Sequence, residues 1–169
     1  MAAIARSKRM PAVRFFGGRF EDWPASDPVD LVAAFNSWHW VDPAVAIAKA
    51  ADVLRSDGLL ALVWTEVIQY GQHPFDQRLE YLGAPMVSGD RVAACRSRVD
   101  AAAEFRFLRV ARCRFERTLD ATTFVAVLRT YDRTRDDQSD AAIRTLIDEE
   151  FGGSVTKIEE AVAYLYLRK

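Results

Sequence analysis

The chain has 169 residues, half of them apolar, and a formal net charge of −1. That length and composition allow one domain with a sizeable core, and near-neutrality gives no electrostatic reason to expect a nucleic-acid or anionic-membrane partner. Two cysteines, Cys95 and Cys113, make no disulfide framework and fit a reducing cytoplasm. No apolar run approaches the roughly 20 residues that span a bilayer, and the basic start MAAIARSKRM lacks the apolar segment of a secretory signal. A cytoplasmic protein is expected.

In chain order, Ala2–Met10 is short, Ala-rich and basic. It suits the last turn of a helix whose beginning is absent, stopped by Pro11. Val13–Phe16 reads as a short buried strand ended by Gly17-Gly18. A loop over Arg19–Pro24 and the turn formers of Ala25–Pro28 lead into a strand at Asp30–Phe35, apolar nearly throughout, as strands covered on both faces are. Asp42 is a good N-cap with Pro43 at the first helical position. The helix pattern runs from Ala44 to Arg55, with Ile47, Ala51 and Leu54 on one face and Asp57-Gly58 closing it. A second apolar strand, Leu59–Trp64, follows at once. This strand, turn, helix and strand form a parallel crossover unit, whose ligand face lies where the strands end.

The pattern weakens from Val67 to Arg98. Pro74–Leu82 suits a helix with Phe75, Leu79 and Leu82 on one side, Gly83–Gly89 is loop, and Asp90–Val99 is another short helix. A region of this kind after a ligand-bearing strand suits a lid or substrate wall over residues 67–99. Phe105–Phe115 reads as a long strand with alternating arginines. Asp120 caps a helix carrying Phe124, Val127, Leu128 and Tyr131, and Ser139 caps another with Ile143, Leu146 and Ile147 inward, ended by Gly152-Gly153. Val155–Leu167 is a last strand. Helices alternate with strands, so the class is α/β.

Several residues have both a chemical and a structural reading. His39 has the pKa range of a general base, yet it also suits a histidine packed between Trp38 and Trp40 at a helix start. Asn36 and Ser37 serve equally as ligand contacts or turn formers. Trp23, Trp38, Trp40 and Trp64 suit an aromatic pocket, although at least two of them belong in a core. The two cysteines, His39 and His73 lack the close spacing of a zinc site, so no metal is expected. For Arg106, Arg109, Arg112, Arg114 and Arg117, pairing with the acidic helices (Asp136, Asp137, Asp148, Glu149, Glu150) or a solvated edge outweighs RNA binding.

The order of strand, GGRFEDWP loop, VDLVAAFNSWHWVDP, helix and LRSDGLLALVW resembles the class I S-adenosylmethionine-dependent methyltransferases. Within them it is similar to the type 11-like subgroup with a His-Trp pair before the fourth helix. RFERTLDATTFVAVLRTYDR, IDEEFGG and VTKIEEAVAYLYLRK extend the likeness over nearly the whole chain. The resemblance implies a Rossmann-like sheet, mostly parallel with an antiparallel C-terminal strand and lacking its first two strands. The whole chain is then a single, partial methyltransferase domain. It places Arg19, Phe20 and Glu21 near the cofactor's adenine and Phe35, Asn36 and Ser37 beside its methionine part. Trp38, His39 and Trp40 begin the substrate side, and Trp64 and Thr65 add a wall for a small-molecule acceptor.

Two departures matter. Family members often carry an acidic residue where this chain has Arg19, which shifts adenine recognition toward backbone N–H groups. The glycine-rich turn after the first strand and the acidic residue ending the second are absent. That turn brings backbone N–H groups to the cofactor, and the acidic residue accepts from the ribose hydroxyls. Two such bonds at about 1.5–3 kcal/mol each correspond to roughly a thousandfold in affinity. An impaired enzyme is therefore expected, the alternative being a non-catalytic remnant acting by self-association or partner binding. An unpaired apolar edge at Asp30–Phe35 predicts either that Val13–Phe16 pairs with it or that two chains form a homodimer there.

Overall fold

The computed structural model describes residues 13–14, 16–67, 73–82, 90–131 and 134–169. The elements in chain order are β1 (Val29–Phe35), α1 (Pro43–Val53), β2 (Leu54–Val67), α2 (Pro74–Tyr81), α3 (Asp90–Asp100), β3 (Phe105–Asp120), α4 (Ala121–Tyr131), α5 (Asp137–Glu150) and β4 (Ser154–Arg168). Short 3-10 turns lie at Phe20–Asp22 and Trp38–Trp40. The strands form one sheet in the order β1-β2-β4-β3. The helical return between neighbours β1 and β2 makes that pair parallel. β3 and β4 are antiparallel, since Thr118 meets Thr156 at 2.8 Å while Lys169 N–H donates to the Glu104 carbonyl at 2.9 Å. The α/β, mixed Rossmann-like sheet expected from the sequence is the fold observed.

The chain's contacts divide into two compact units, Met1–Leu62 with Ala94–Arg109 and Leu165–Lys169, and Val63–Ala93 with Val110–Tyr164. In the first, Asp42 Oδ1 accepts from the Ala44 and Val45 N–H groups at 2.9 and 3.3 Å, and Pro43 opens the helix. α1 ends at Val53, earlier than its pattern suggested, because Leu54 is already extended. The buried stripe is therefore Ala46, Ala50, Ala51 and Val53, with Ile47 only half-buried. β2 correspondingly begins at Leu54, five residues before the expected strand, and passes through Asp57 at φ 60°. Gly58 is required there by space, because an added Cβ would sit 2.8 Å from the Arg55 carbonyl oxygen.

The second unit has its own core. Phe75 and Leu79 of α2 pack with Phe124, Val125 and Leu128 of α4 and with Ile143, Leu146 and Ile147 of α5. The Phe75 ring stands edge-on to Phe124 and Phe151 at 5.1 and 5.2 Å. His73 caps α2 through Nδ1, which accepts from the Phe75 N–H at 3.1 Å. Asp120 caps α4, accepting from the Thr123 N–H at 2.7 Å. The cap of α5 is Asp136, three residues before the expected Ser139; its carboxylate accepts from both the backbone and the hydroxyl of Ser139. α5 closes with Gly152 and Gly153 at φ 64° and 85°, and the Phe151 and Gly153 N–H groups both return to the Ile147 carbonyl, at 3.2 and 3.0 Å.

Three further expectations change. Residues 13, 14 and 16 lie outside any strand, so the described part of Val13–Phe16 does not pair with β1. β3 continues to Asp120 instead of stopping at Phe115. Three of its five arginines pair with the neighbouring strand. Arg112 and Arg114 share Glu160, at 2.5 and 3.1 Å, and Arg117 bonds Glu159. Both glutamates are buried, where β4's in-out alternation slips by one residue. The bonds from Arg112 and then Arg114 hold the Glu160 carboxyl below its usual range. The α5 acids take other partners, Arg129 bonding Asp137 and Asp140 while Arg135 bonds Asp140. Among the described residues no helix is long and apolar enough to cross a membrane.

Candidate functional site

A cavity of about 360 Å³ opens in the first unit where β1 ends. It is lined by Arg19, Phe20 and Glu21 from the first 3-10 turn, Val32, Ala33 and Ala34 of β1, and Ser37, Trp38, Trp40 and Val41 of the second turn. Its size is within the range of small-molecule sites. The local sequence explains the shape. The alanines at 33 and 34 leave room beside the strand, and Asn36 turns the chain sharply at φ 47°, a left-handed conformation that asparagine tolerates better than most residues. Trp38 is buried and its ring lies 6.3 Å from that of Phe20, which ties the two turns together. The first turn also packs on α1.

Trp40 is 68% exposed and stands at the cavity with one flat aromatic ring available to a ligand. The Arg19 guanidinium is held within the first turn: Nε and Nη2 donate to the two oxygens of Asp22 at 2.8 and 3.1 Å. That hydrogen bonding keeps the Asp22 carboxyl below its ordinary pKa and raises that of Arg19. Glu21 and the Ser37 hydroxyl are the polar side chains at the cavity besides Arg19. Phe20, Trp38 and Trp40 suit a planar ring, and Glu21 and Ser37 suit hydroxyl or amine groups beside it.

Of the residues singled out from the sequence, the cavity brings together Arg19, Phe20, Glu21, Ser37, Trp38 and Trp40. Phe35, Asn36 and His39 are not among its lining residues; Phe35 is 69% exposed, and the His39 ring lies 4.8 Å from that of Trp40. Trp64 is buried, edge-on to Tyr164 at 6.0 Å, and with Thr65 belongs to the second unit. Val32, Ala33, Ala34 and Val41 line the cavity without having been expected to. No group of three or more potential metal-binding side chains occurs among the described residues. Both cysteines are free thiols, and burial raises the pKa of Cys95.

Residues 1–62 match a family model described as a methyltransferase domain. Uncharacterized methyltransferases of Mycobacterium tuberculosis and Mycobacterium bovis are 52% identical over 48 residues, 28% of this chain. The match spans only 20% of the length of those relatives. In structure, a candidate type II methyltransferase from Anaeromyxobacter dehalogenans is similar at a TM-score of 0.57 and 20% identity, over 95% of this chain and 73% of that one. The YcgJ protein of Bacillus subtilis is similar at a TM-score of 0.51 and 18% identity, over 99% and 76%. Residues 1–62 thus match a methyltransferase-domain model, and over nearly its whole length the chain shares the fold of these two solved structures.

Proposed function

We propose that this chain is a domain of an S-adenosylmethionine-dependent methyltransferase acting on a small molecule. The carrying observation is the aromatic cavity at the end of β1, inside a strand-helix-strand unit whose strand ends are the customary ligand edge. When bound, S-adenosylmethionine supplies a sulfonium methyl group that is already strongly electrophilic. Trp40 offers a stacking face to the adenine ring, Phe20 and Trp38 complete an apolar enclosure, and Glu21 and Ser37 offer polar groups to the nucleoside. The His39 ring packs beside that of Trp40 at 4.8 Å. Positioning supplies most of the rate in such a transfer, so no base is required of His39.

Leu31 at 52% and Phe35 at 69% exposure leave an apolar surface beside the cavity, which favours a second reading, a non-catalytic module of this fold acting by partner binding. Isothermal titration calorimetry with S-adenosylmethionine and S-adenosylhomocysteine separates the two. Saturable binding at about 100 µM or tighter, weakened about tenfold by Trp40→Ala, supports the enzyme. No heat at millimolar ligand supports the non-catalytic module.

A further inference from the structure

We infer that Asn36 is a positioning residue for the cavity's ligand, acting through its left-handed backbone, which sets two walls of the cavity against each other. The nature of the ligand rests on the methyltransferase reading above; the role of Asn36 rests on the backbone. Val32, Ala33 and Ala34 of β1 form one wall, and Ser37, Trp38, Trp40 and Val41 of the second turn form another. Phe35 and Asn36 join these walls and line neither. Phe35 still belongs to the strand, so the chain changes direction at Asn36, where φ is 47°. An ordinary negative φ there would carry the chain onward and take Ser37, Trp38 and Trp40 away from the opening.

The second turn follows Asn36 as one piece. The Trp40 and Val41 N–H groups return to the Ser37 and Trp38 carbonyls at 3.0 and 3.2 Å, so a rotation at Asn36 passes whole to the Trp40 ring. A residue outside glycine persists in this region only where its surroundings enforce it, and such residues gather at ligand clamps. Asparagine and aspartate adopt it more readily than other side chains, whereas a β-branched residue resists it. Among the described residues Asp57, at φ 60°, is the other non-glycine with a positive φ, and it lines no part of the cavity. It supplies the internal control.

The indole N–H resonances of Trp38, Trp40 and Trp64 read the geometry without any ligand. Asn36→Gly keeps the left-handed conformation without steric conflict, so all three should stay in place. Asn36→Val should move Trp38 and Trp40 but not Trp64, which belongs to the second unit. Should that variant not fold, Asn36→Ala should give smaller shifts of the same two signals. Asp57→Val should lower the melting temperature and leave both signals in place. In calorimetry with S-adenosylhomocysteine, Asn36→Val should bind about tenfold more weakly, the worth of one stacked base, and Asn36→Gly should match wild type. Trp38 and Trp40 signals that hold still in Asn36→Val and Asn36→Ala, or that move as far in Asn36→Gly or Asp57→Val, would overturn the inference. An Asn36→Gly variant that binds as weakly as Asn36→Val would assign the effect to the side chain and overturn it too. A wild-type chain that gives no heat refutes the methyltransferase reading, while the indole signals still decide the role of Asn36.

Discussion

Removing the carboxylate of Asp76 tests how the second unit is held together. Asp76 and Lys157 bond to each other at 3% and 8% exposure, joining α2 to β4 inside a core otherwise made of Phe, Leu, Ile and Val. Lys157 Nζ also lies 4.9 Å from the Phe75 ring centroid and 5.9 Å from that of Phe124. Breaking such a pair on one side costs about 3–5 kcal/mol, because the remaining charge stays in a poorly solvating site. The two aromatic faces offset some of that for a cation, each by roughly 0.5–2 kcal/mol. Asp76→Leu should therefore destabilise by about 3 kcal/mol, and Lys157→Met, which strands an anion with no ring face to help it, by somewhat more. At about 2–4 °C per kcal/mol for a chain of this size, the melting temperature falls by roughly 6–12 °C. Replacing both partners, Asp76→Leu with Lys157→Met, should recover most of the loss, as paired replacement of buried ions often does. Urea unfolding followed by circular dichroism gives all four corners of the cycle. A single-substitution cost under about 1 kcal/mol, or a double variant as unstable as the sum of its parts, would refute the reading of this pair as a buried and mutually dependent one.

Other expectations are equally direct. Burial acts to raise the pKa of Asp140, but bonds from Arg135 and Arg129 outweigh it and hold the carboxyl below its ordinary range. Its contribution is thus present above the unfolded value of about 3.9 and is lost as pH falls through the lower folded value. The stability difference between wild type and Asp140→Asn should be largest near neutrality and shrink below about pH 4 in urea titrations. Tyr166 behaves with the opposite sign. Burial, and then the neighbouring Asp100, push its phenol up to about 12. The unfolded chain releases that proton near 10, so stability falls as pH rises from about 10 toward 12, and Tyr166→Phe should flatten this slope. Asp42→Ala removes the acceptor for two N–H groups of α1 and should cost about 1 kcal/mol by chemical denaturation.

Much of this architecture was legible in the sequence because local signals and tertiary packing agree. Asp42-Pro43 opens a helix wherever it is packed, and Gly152-Gly153 supplies the left-handed residues that an α-helix end requires. The misreadings fall where a longer-range effect decides. Ser139 is as good a cap as Asp136 on propensity, but only Asp136 precedes the first turn, and Ser139 becomes its hydrogen-bond donor. Asp57-Gly58 has the composition of a helix end, yet β2 has already begun, and the glycine answers to the Arg55 carbonyl. For the cavity, aromatic and polar residues in the two turns were visible as chemistry. Val32, Ala33 and Ala34 were not, since an apolar strand does not disclose which of its side chains border an opening. Trp64 illustrates the converse, an indole at a strand end that packs on Tyr164 as core.

The most direct test of cofactor recognition follows the four indole N–H signals of the chain by two-dimensional nuclear magnetic resonance during a titration with S-adenosylhomocysteine. Saturable shifts at Trp38 and Trp40, with Trp64 unmoved, are expected if the cavity beside β1 holds the ligand. Shifts at Trp64 that leave Trp38 and Trp40 in place, or four unmoved signals at millimolar ligand, would contradict it.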